Sequence, residues 1–324
     1  MAQALTTRAM LHAGEGRFDD AWQDLLACHR LGRLVARGAT LIELLVGIAI
    51  DTIASNADLA YLERAPLDAN AIKDRLRDLQ RLPPMPSAAD KVDLAERFSF
   101  LDIVMMVDRG GLDYLEGLSG GPPKEPNPLM KHVLHGIDWD PALRLANRWF
   151  DRMAAAMRIK DRAEREKQLN QIHKDLEALV KKIKEGGALD KLLLAFTMTP
   201  QKMGKQIGQI MISLLVPAIH KIQQASDRSE QTQRNLQVAF ALACYRRDHG
   251  RYPDKLDALA PAYLKDVPQD IFSGAALIYR PKEKGYLLYS IGVNGRDDEG
   301  RGYGDDPPAD DLNVRMPLPQ LHRK

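Results

Sequence analysis

The stretch Tyr245-Arg246-Arg247-Asp248-His249-Gly250-Arg251-Tyr252-Pro253 punctuates the last quarter of this 324-residue chain and limits what can follow it. Ahead of it, Leu236, Phe240, Ala243 and Cys244 recur at helical spacing, a stripe that calls for burial. Gly250 supplies a natural helix stop, because the residue beyond a last turn often adopts a left-handed backbone. Tyr245 and Tyr252 can pack across that helix end, and Pro253 fixes the direction in which the chain leaves. Two runs of strand-like composition follow, Ala276–Tyr279 and Tyr286–Ile291, separated by the polar turn Arg280-Pro281-Lys282-Glu283-Lys284-Gly285. An antiparallel hairpin laid on a helix is expected, making a small α+β head.

Upstream the signals are those of helices. Gly16-Arg17-Phe18-Asp19-Asp20-Ala21-Trp22, then Leu25, Leu26 and Ala27, predicts an antiparallel helical hairpin over residues 3–34. The glycine allows a tight turn, Asp19 and Asp20 suit a helix N-terminus, and the small alanines allow close packing. Residues 68–81 read as a polar amphipathic helix stopped by Pro83-Pro84-Met85-Pro86, and residues 88–108 as another, ended by Gly110-Gly111. A Gly/Pro-rich connection spans 111–137, with Gly120-Gly121-Pro122-Pro123 and Pro126 as breakers. Asp138-Trp139-Asp140 reads as a helix start, an Asp cap beside an aromatic anchor. A long helical region is expected from Asp140 to Glu185, where Leu169, Ile172, Leu176, Leu179 and Ile183 alternate in steps of three and four. That run holds fewer heptads than a coiled coil needs, so packing within a bundle is expected. The last helical stretch runs from Lys202 to Asp248, and Pro217 should kink or divide it. Scarce aromatics, 6% of the residues, fit a mostly helical protein. The chain enters its first amphipathic pattern at once, with neither a cap nor the cationic start of a signal peptide, and reads as a fragment or short-start form of a longer protein.

Gly38-Ala39-Thr40-Leu41-Ile42-Glu43-Leu44-Leu45-Val46 resembles the processing and methylation motif of type IV pilins, in which Gly precedes a Phe-Thr-Leu-Ile-Glu-Leu run. That motif opens a membrane helix of about 20 apolar residues. Here Asp51 interrupts the run, Asn56 and Asp58 follow, and a charge at that depth is expensive in a bilayer. Residues 39–62 are therefore expected to form a buried helix of a soluble fold. The apolar run Ile207–Ile219 is likewise too short to span a membrane.

Lys plus Arg total 46 against 44 Asp plus Glu, so charge gives no reason to expect nucleic acid. Around Arg158–Lys167 the basic residues alternate with Asp161, Glu164 and Glu166, as on a solvated face. Cys28 and Cys244 each fall in a helical pattern and read as buried free thiols. No phosphate-binding loop or dinucleotide fingerprint appears. His132-x-x-His135 lacks a nearby acidic ligand motif and reads as a structural pair. Cys244 and His249 are close in sequence, but a thiol in an apolar stripe is normally unreactive. No enzyme is expected from these residues.

Two further segments resemble known families. From Ala239 onward the chain carries Ala241, Leu242, Tyr245, Asp248, Gly250, Tyr252, Pro253, Leu256 and Leu259, then Pro268, Asp270, Tyr279, Tyr286 and Ser290. Gly292-x-Asn294-Gly295 and Asp310-Asp311-Leu312 complete the series. In this order the last quarter resembles the globular head of the major pseudopilin of type II secretion systems, the pseudopilin G family. The front hairpin resembles the second half of a tetratricopeptide repeat; one such unit is not an array, since stacking needs about three.

The pseudopilin resemblance implies calcium, bound in this loop through carbonyls and Asp side chains. By motif position the candidate ligands are the Ile291 carbonyl, Asn294, Asp305 and Asp306, with Asp310 and Asp311 as alternates. Asn294 stands where the family has Asp, and the loop around Tyr303 and Pro307-Pro308 departs from the pattern. The residues themselves give a parallel reason: Asp297, Asp298, Glu299, Asp305, Asp306, Asp310 and Asp311 crowd like charges into a Gly-rich segment. A hard cation takes such oxygens in flexible geometry, although the spacing is not that of an EF-hand. An acidic, solvated loop is the alternative. Leu214-Leu215-Val216-Pro217-Ala218 faintly echoes the proline-bearing shaft of pilins, but Lys202 and Lys205 precede it and no processing motif does, so a filament-forming pilin is not expected.

The expected fold is mainly α: a tetratricopeptide-like hairpin and helical bundle carrying a small α+β C-terminal head. Its divisions are 1–110, the connection 111–137, a bundle 138–226, and the head with its acidic tail 227–324. The expected role is non-enzymatic, in type II secretion-like envelope assembly or another protein–protein interaction, with a protein partner and no nucleic acid. A helical adaptor that binds a peptide or protein, with a purely structural head, is the alternative; a hydrolase whose groups converge only in three dimensions is a third. An extracytoplasmic placement is implied by the resemblance alone.

Overall fold

A computed structural model describes residues 1–110, 136–185 and 199–319. The His132–His135 pair and nearly all of the 111–137 connection lie outside them. Helices α1 (Ala2–Gly14), α2 (Phe18–Ala36), α3 (Leu41–Arg64) and α4 (Ala69–Gln80) come first. A short α5 (Ala88–Lys91) passes through a π-helical turn (Val92–Glu96) into α6 (Arg97–Gly110). Helices α7 (Asp140–Met157), α8 (Arg162–Glu185) and α9 (Pro200–His249) follow. Strands β1 (Ile278–Lys282), β2 (Gly285–Ser290) and β3 (Leu312–Met316) form one antiparallel sheet in that order. The expected plan, mainly α with a small α+β end, is the one that forms.

The chain divides into two compact units. One joins Met1–Gly38, Ile42–Pro86 and Gln224–Lys324; the other joins Ala39–Leu41 and Ser87–Gln223. These groupings cut across the linear divisions expected from the sequence, because the head shares a core with the N-terminal helices. Leu236, Val238, Ala239, Phe240, Ala241, Leu242 and Cys244 are each at most 1% exposed. Five consecutive buried residues cannot lie on one face of a helix, so this part of α9 is covered all round. Its partners in one continuous core include Trp22, Leu25, Tyr61 and Leu76 from α2–α4, and Tyr286, Leu288 and Val314 from the sheet. The Trp22 ring lies 5.6 Å from Tyr61 and 5.8 Å from Phe240, and its indole N–H donates to Asp78 Oδ2 at 2.9 Å.

Local signals set the element ends. The Asp68 carboxylate caps α4 by accepting the Ala71 N–H at 2.7 Å, and Gly250 stops α9 with φ +75°. The hairpin is tighter than expected: Lys282 pairs with Gly285, leaving only Glu283 and Lys284 in the turn. Pro281 stands in β1 opposite Tyr286, tolerated because β1 is an edge strand. The third strand, β3, was not expected. Cys28 and Cys244 are buried free thiols, as expected.

Asp51, which bars α3 from a bilayer, belongs to a buried ionic network. His29 Nδ1 lies 2.5 Å from Asp51 Oδ1, and Arg33 Nη1 donates to the same oxygen at 2.5 Å. Gln233 Nε2 donates to Asp51 Oδ2 at 2.8 Å and to Ser55 Oγ at 2.9 Å. No described helix is long and apolar enough to cross a membrane.

In the second unit, Trp139 Nε1 donates to Asp108 Oδ1 at 2.9 Å, and Asp138 Oδ1 accepts the Asp140 N–H at 3.1 Å as α7 begins. Phe100 and Phe150 meet edge to face at 5.9 Å. The helical region expected from Asp140 to Glu185 forms as two helices, parted between Met157 and Arg162. Asp161 accepts the Glu164 N–H at 2.7 Å there, a cap that competes with helix continuation. Leu169, Ile172 and Leu176 are buried. Pro217 does not divide α9, whose helix runs through it.

Candidate metal centre

The β2–β3 connection folds against the end of β2. Asp270, buried, accepts the Ser290 hydroxyl at 2.7 Å and the Ile291 N–H at 3.2 Å, fixing where the loop departs. Gly292 follows with φ +68°, and a Cβ there would stand 2.2 Å from the Asp310 carbonyl oxygen. Only glycine lets the outgoing and returning arms meet this closely.

Within the loop, Asp298, Asp310 and Asp311 each place an oxygen within 4.8 Å of the others. Asp311 is 2% exposed. Its Oδ2 accepts N–H groups from Gly300 at 2.8 Å and Asp298 at 3.1 Å, while its Oδ1 is buried without a partner. Asp310 Oδ1 is buried and unpartnered as well, its Oδ2 being taken by the Asn294 N–H at 2.9 Å. Burial, aided by the charges of Asp298 and Asp297, pushes the Asp311 carboxyl up to about 6 against the pull of the two N–H donors. Carboxylates crowded in this way favour either a proton or a cation.

The six expected ligands fare differently. Asp310 and Asp311 come together, joined by Asp298, which motif position does not single out. Asn294 touches the same group, donating Nδ2–H to Asp298 Oδ2 at 2.9 Å, while its own Oδ1 accepts the Arg296 N–H. Ile291 is held through its N–H by Asp270. Asp305 is not in the triad: Arg315 grips it with two bonds, Nη1–Oδ1 at 2.6 Å and Nη2–Oδ2 at 2.7 Å, and holds its carboxyl below the ordinary value. Asp306 is exposed and outside the triad. The run Asp297-Asp298-Glu299, one residue beyond Gly292-x-Asn294-Gly295, was the available signal for Asp298.

The donor set is all oxygen, with carboxylates from both arms of the β2–β3 loop. That chemistry suits a hard cation such as calcium rather than zinc or copper. The His29–Asp51–Asp58 group, a second convergence of acid and base, is fully buried. No protein-family model, curated protein or solved structure matches this chain.

Proposed function

We propose that this protein is a non-enzymatic assembly module: a helical body carrying a pseudopilin-like head whose β2–β3 loop binds calcium. The observation that carries this reading is Asp311, nearly inaccessible, with one oxygen unpartnered beside Asp298 and Asp310. A calcium ion would neutralise the three carboxylates and fix the loop that leads into β3; the Ile291 carbonyl and, once its carboxamide turns its oxygen to the ion, Asn294 complete the proposed shell. In a pseudopilin-like setting the ordered head serves contact with protein partners in a type II secretion-like envelope assembly. Calcium titration followed by thermal unfolding tests it. Specific binding raises the unfolding midpoint with calcium concentration, and D311N abolishes the rise. An unmoved midpoint at millimolar calcium overturns the site.

A second reading, a peptide-binding adaptor, has one observation in its favour. A groove of about 680 Å³ runs beside edge strand β3, walled by Asn56 and Ser55 of α3, Asn235 of α9, and Asn313 and Arg315. Asn235 and Asn313 already donate to the Leu312 and Gly300 carbonyls, and their remaining amide groups beside an edge strand suit an extended peptide backbone. The groove lies on α3, α9 and β3, not on the tetratricopeptide-like α1–α2 hairpin. Pull-down of the full chain with extended peptides, compared between wild type and N313A, separates this role from a purely structural head.

A further inference from the structure

The last turn of α9, the β1–β2 turn and the end of β3 enclose a cavity of about 100 Å³ inside the first unit. Tyr286 forms part of its wall, only 1% exposed, and the Tyr286 hydroxyl has no hydrogen-bond partner. Buried hydroxyls almost always find a partner, so this wall holds one unsatisfied donor. Burial also keeps this phenol well above its ordinary value, which leaves it a neutral donor at physiological pH.

The charges around the cavity are unbalanced. Arg246, Arg247 and Lys284 line it, against the single carboxylate of Glu63. Glu63 already accepts the Leu318 N–H at 2.9 Å. Arg246 donates to the Tyr252 hydroxyl at 3.2 Å and lies over that ring, but it pairs with no carboxylate. Among the described residues, Arg247 and Lys284 have no ion-pair partner either. Basic residues are common in a helix's last turn, where they face its carbonyls. That habit accounts for Arg246 and Arg247; it does not account for Lys284 arriving from the β-turn, or for the orphaned hydroxyl.

We propose that this cavity binds a phosphate group, with the three cations around it and the unsatisfied Tyr286 donor in the wall behind them. Guanidinium forks match phosphate oxygens in pairs, and a lysine adds a point charge. The cavity has room for a tetrahedral oxyanion but falls short of the roughly 300 Å³ typical of drug-sized ligand sites. Free phosphate or a terminal phosphomonoester, such as a lipid headgroup, would fit; the rest of a larger ligand would stay in solvent.

The test uses the full chain in calcium-free buffer, which separates it from the metal site. Inorganic phosphate is titrated by calorimetry, and vesicles of phosphatidylcholine with or without phosphatidic acid are tested by co-sedimentation. Saturable phosphate binding is expected, weakened about tenfold by K284Q and by R247Q, as for loss of one charge-assisted contact. Y286F should weaken binding too, while leaving the phosphate-free unfolding midpoint unchanged or higher, because it removes an unpartnered hydroxyl. Sedimentation that needs phosphatidic acid and is lost in K284Q assigns the site to a lipid headgroup; a response to inorganic phosphate alone assigns it to free phosphate. Binding in neither arm, or affinities indifferent to all three substitutions, overturns the proposal.

Discussion

The Nε2 atom of His29 lies 2.7 Å from Asp58 Oδ2, and neither side chain reaches solvent. Asp51 holds the other ring nitrogen, so the imidazole donates on both sides and carries a proton. Burial alone would lower its pKa; the charges and hydrogen bonds of Asp58 and Asp51 reverse that and push it up to about 9. Burial also raises the Asp58 carboxyl.

Both shifts mean that the folded state holds protons more tightly than the unfolded one, so stability falls as pH rises. The His29 contribution is complete below its unfolded value of about 6.5 and is lost as pH climbs through about 9. Urea midpoints measured from neutral pH to about pH 10 should fall, steepest between the unfolded and folded values and levelling off above about 9. A flat profile would show that the imidazole is not clamped.

Replacing the ring by an apolar side chain, H29L, strands two carboxylates in the core. The expected loss is about 3–5 kcal/mol, typical of removing one partner from a buried ionic group. Equilibrium denaturation measures it. A loss below about 1 kcal/mol, the scale of an exposed pair, would mean that the network is solvated.

Calcium binding should strengthen with pH. Asp311 must be ionised to ligate, and its carboxyl sits at about 6. Affinity at about pH 5 should therefore be about tenfold weaker than at neutral pH, levelling off above the Asp311 value. Calorimetric titrations at a few pH values check the slope.

Phe240 touches Trp22 from the α9 side, in the core shared by the front helices and the sheet. F240A should cost about 3–5 kcal/mol. It should lower the unfolding of the α1–α4 helices and of the sheet together, seen as one transition by Trp22 fluorescence and by amide exchange in β2. Separate transitions would show that the head folds alone.

The local features of the fold were legible. Asp68 capping α4, Gly250 closing α9 and the Asp138-Trp139-Asp140 start at α7 each depend on a few neighbouring residues. Long-range pairings were harder to read. Leu312, Val314 and Met316 alternate as a strand should, but they adjoin so acidic a segment that the alternation does not stand out. Arg315 claims Asp305, a pairing no spacing rule announces. The all-round burial of residues 238–242 was visible as a continuous apolar run, yet its partners come from the other end of the chain. Asp51 and Asp58 stood out as polar residues in an apolar helix, and the answering groups, His29 and Arg33, lay one turn apart on the preceding helix.

Because the first unit leaves the chain at Pro86 and resumes at Gln224, its assembly is out of step with its synthesis. On the ribosome, the Trp22 and Tyr61 surfaces emerge well before Phe240, and residues Ser87–Gln223 of the second unit are made in the interval. A nascent chain of this kind carries an uncovered apolar face for much of its translation, a window in which a holdase, or the neighbouring polysome's product, competes with the missing helix.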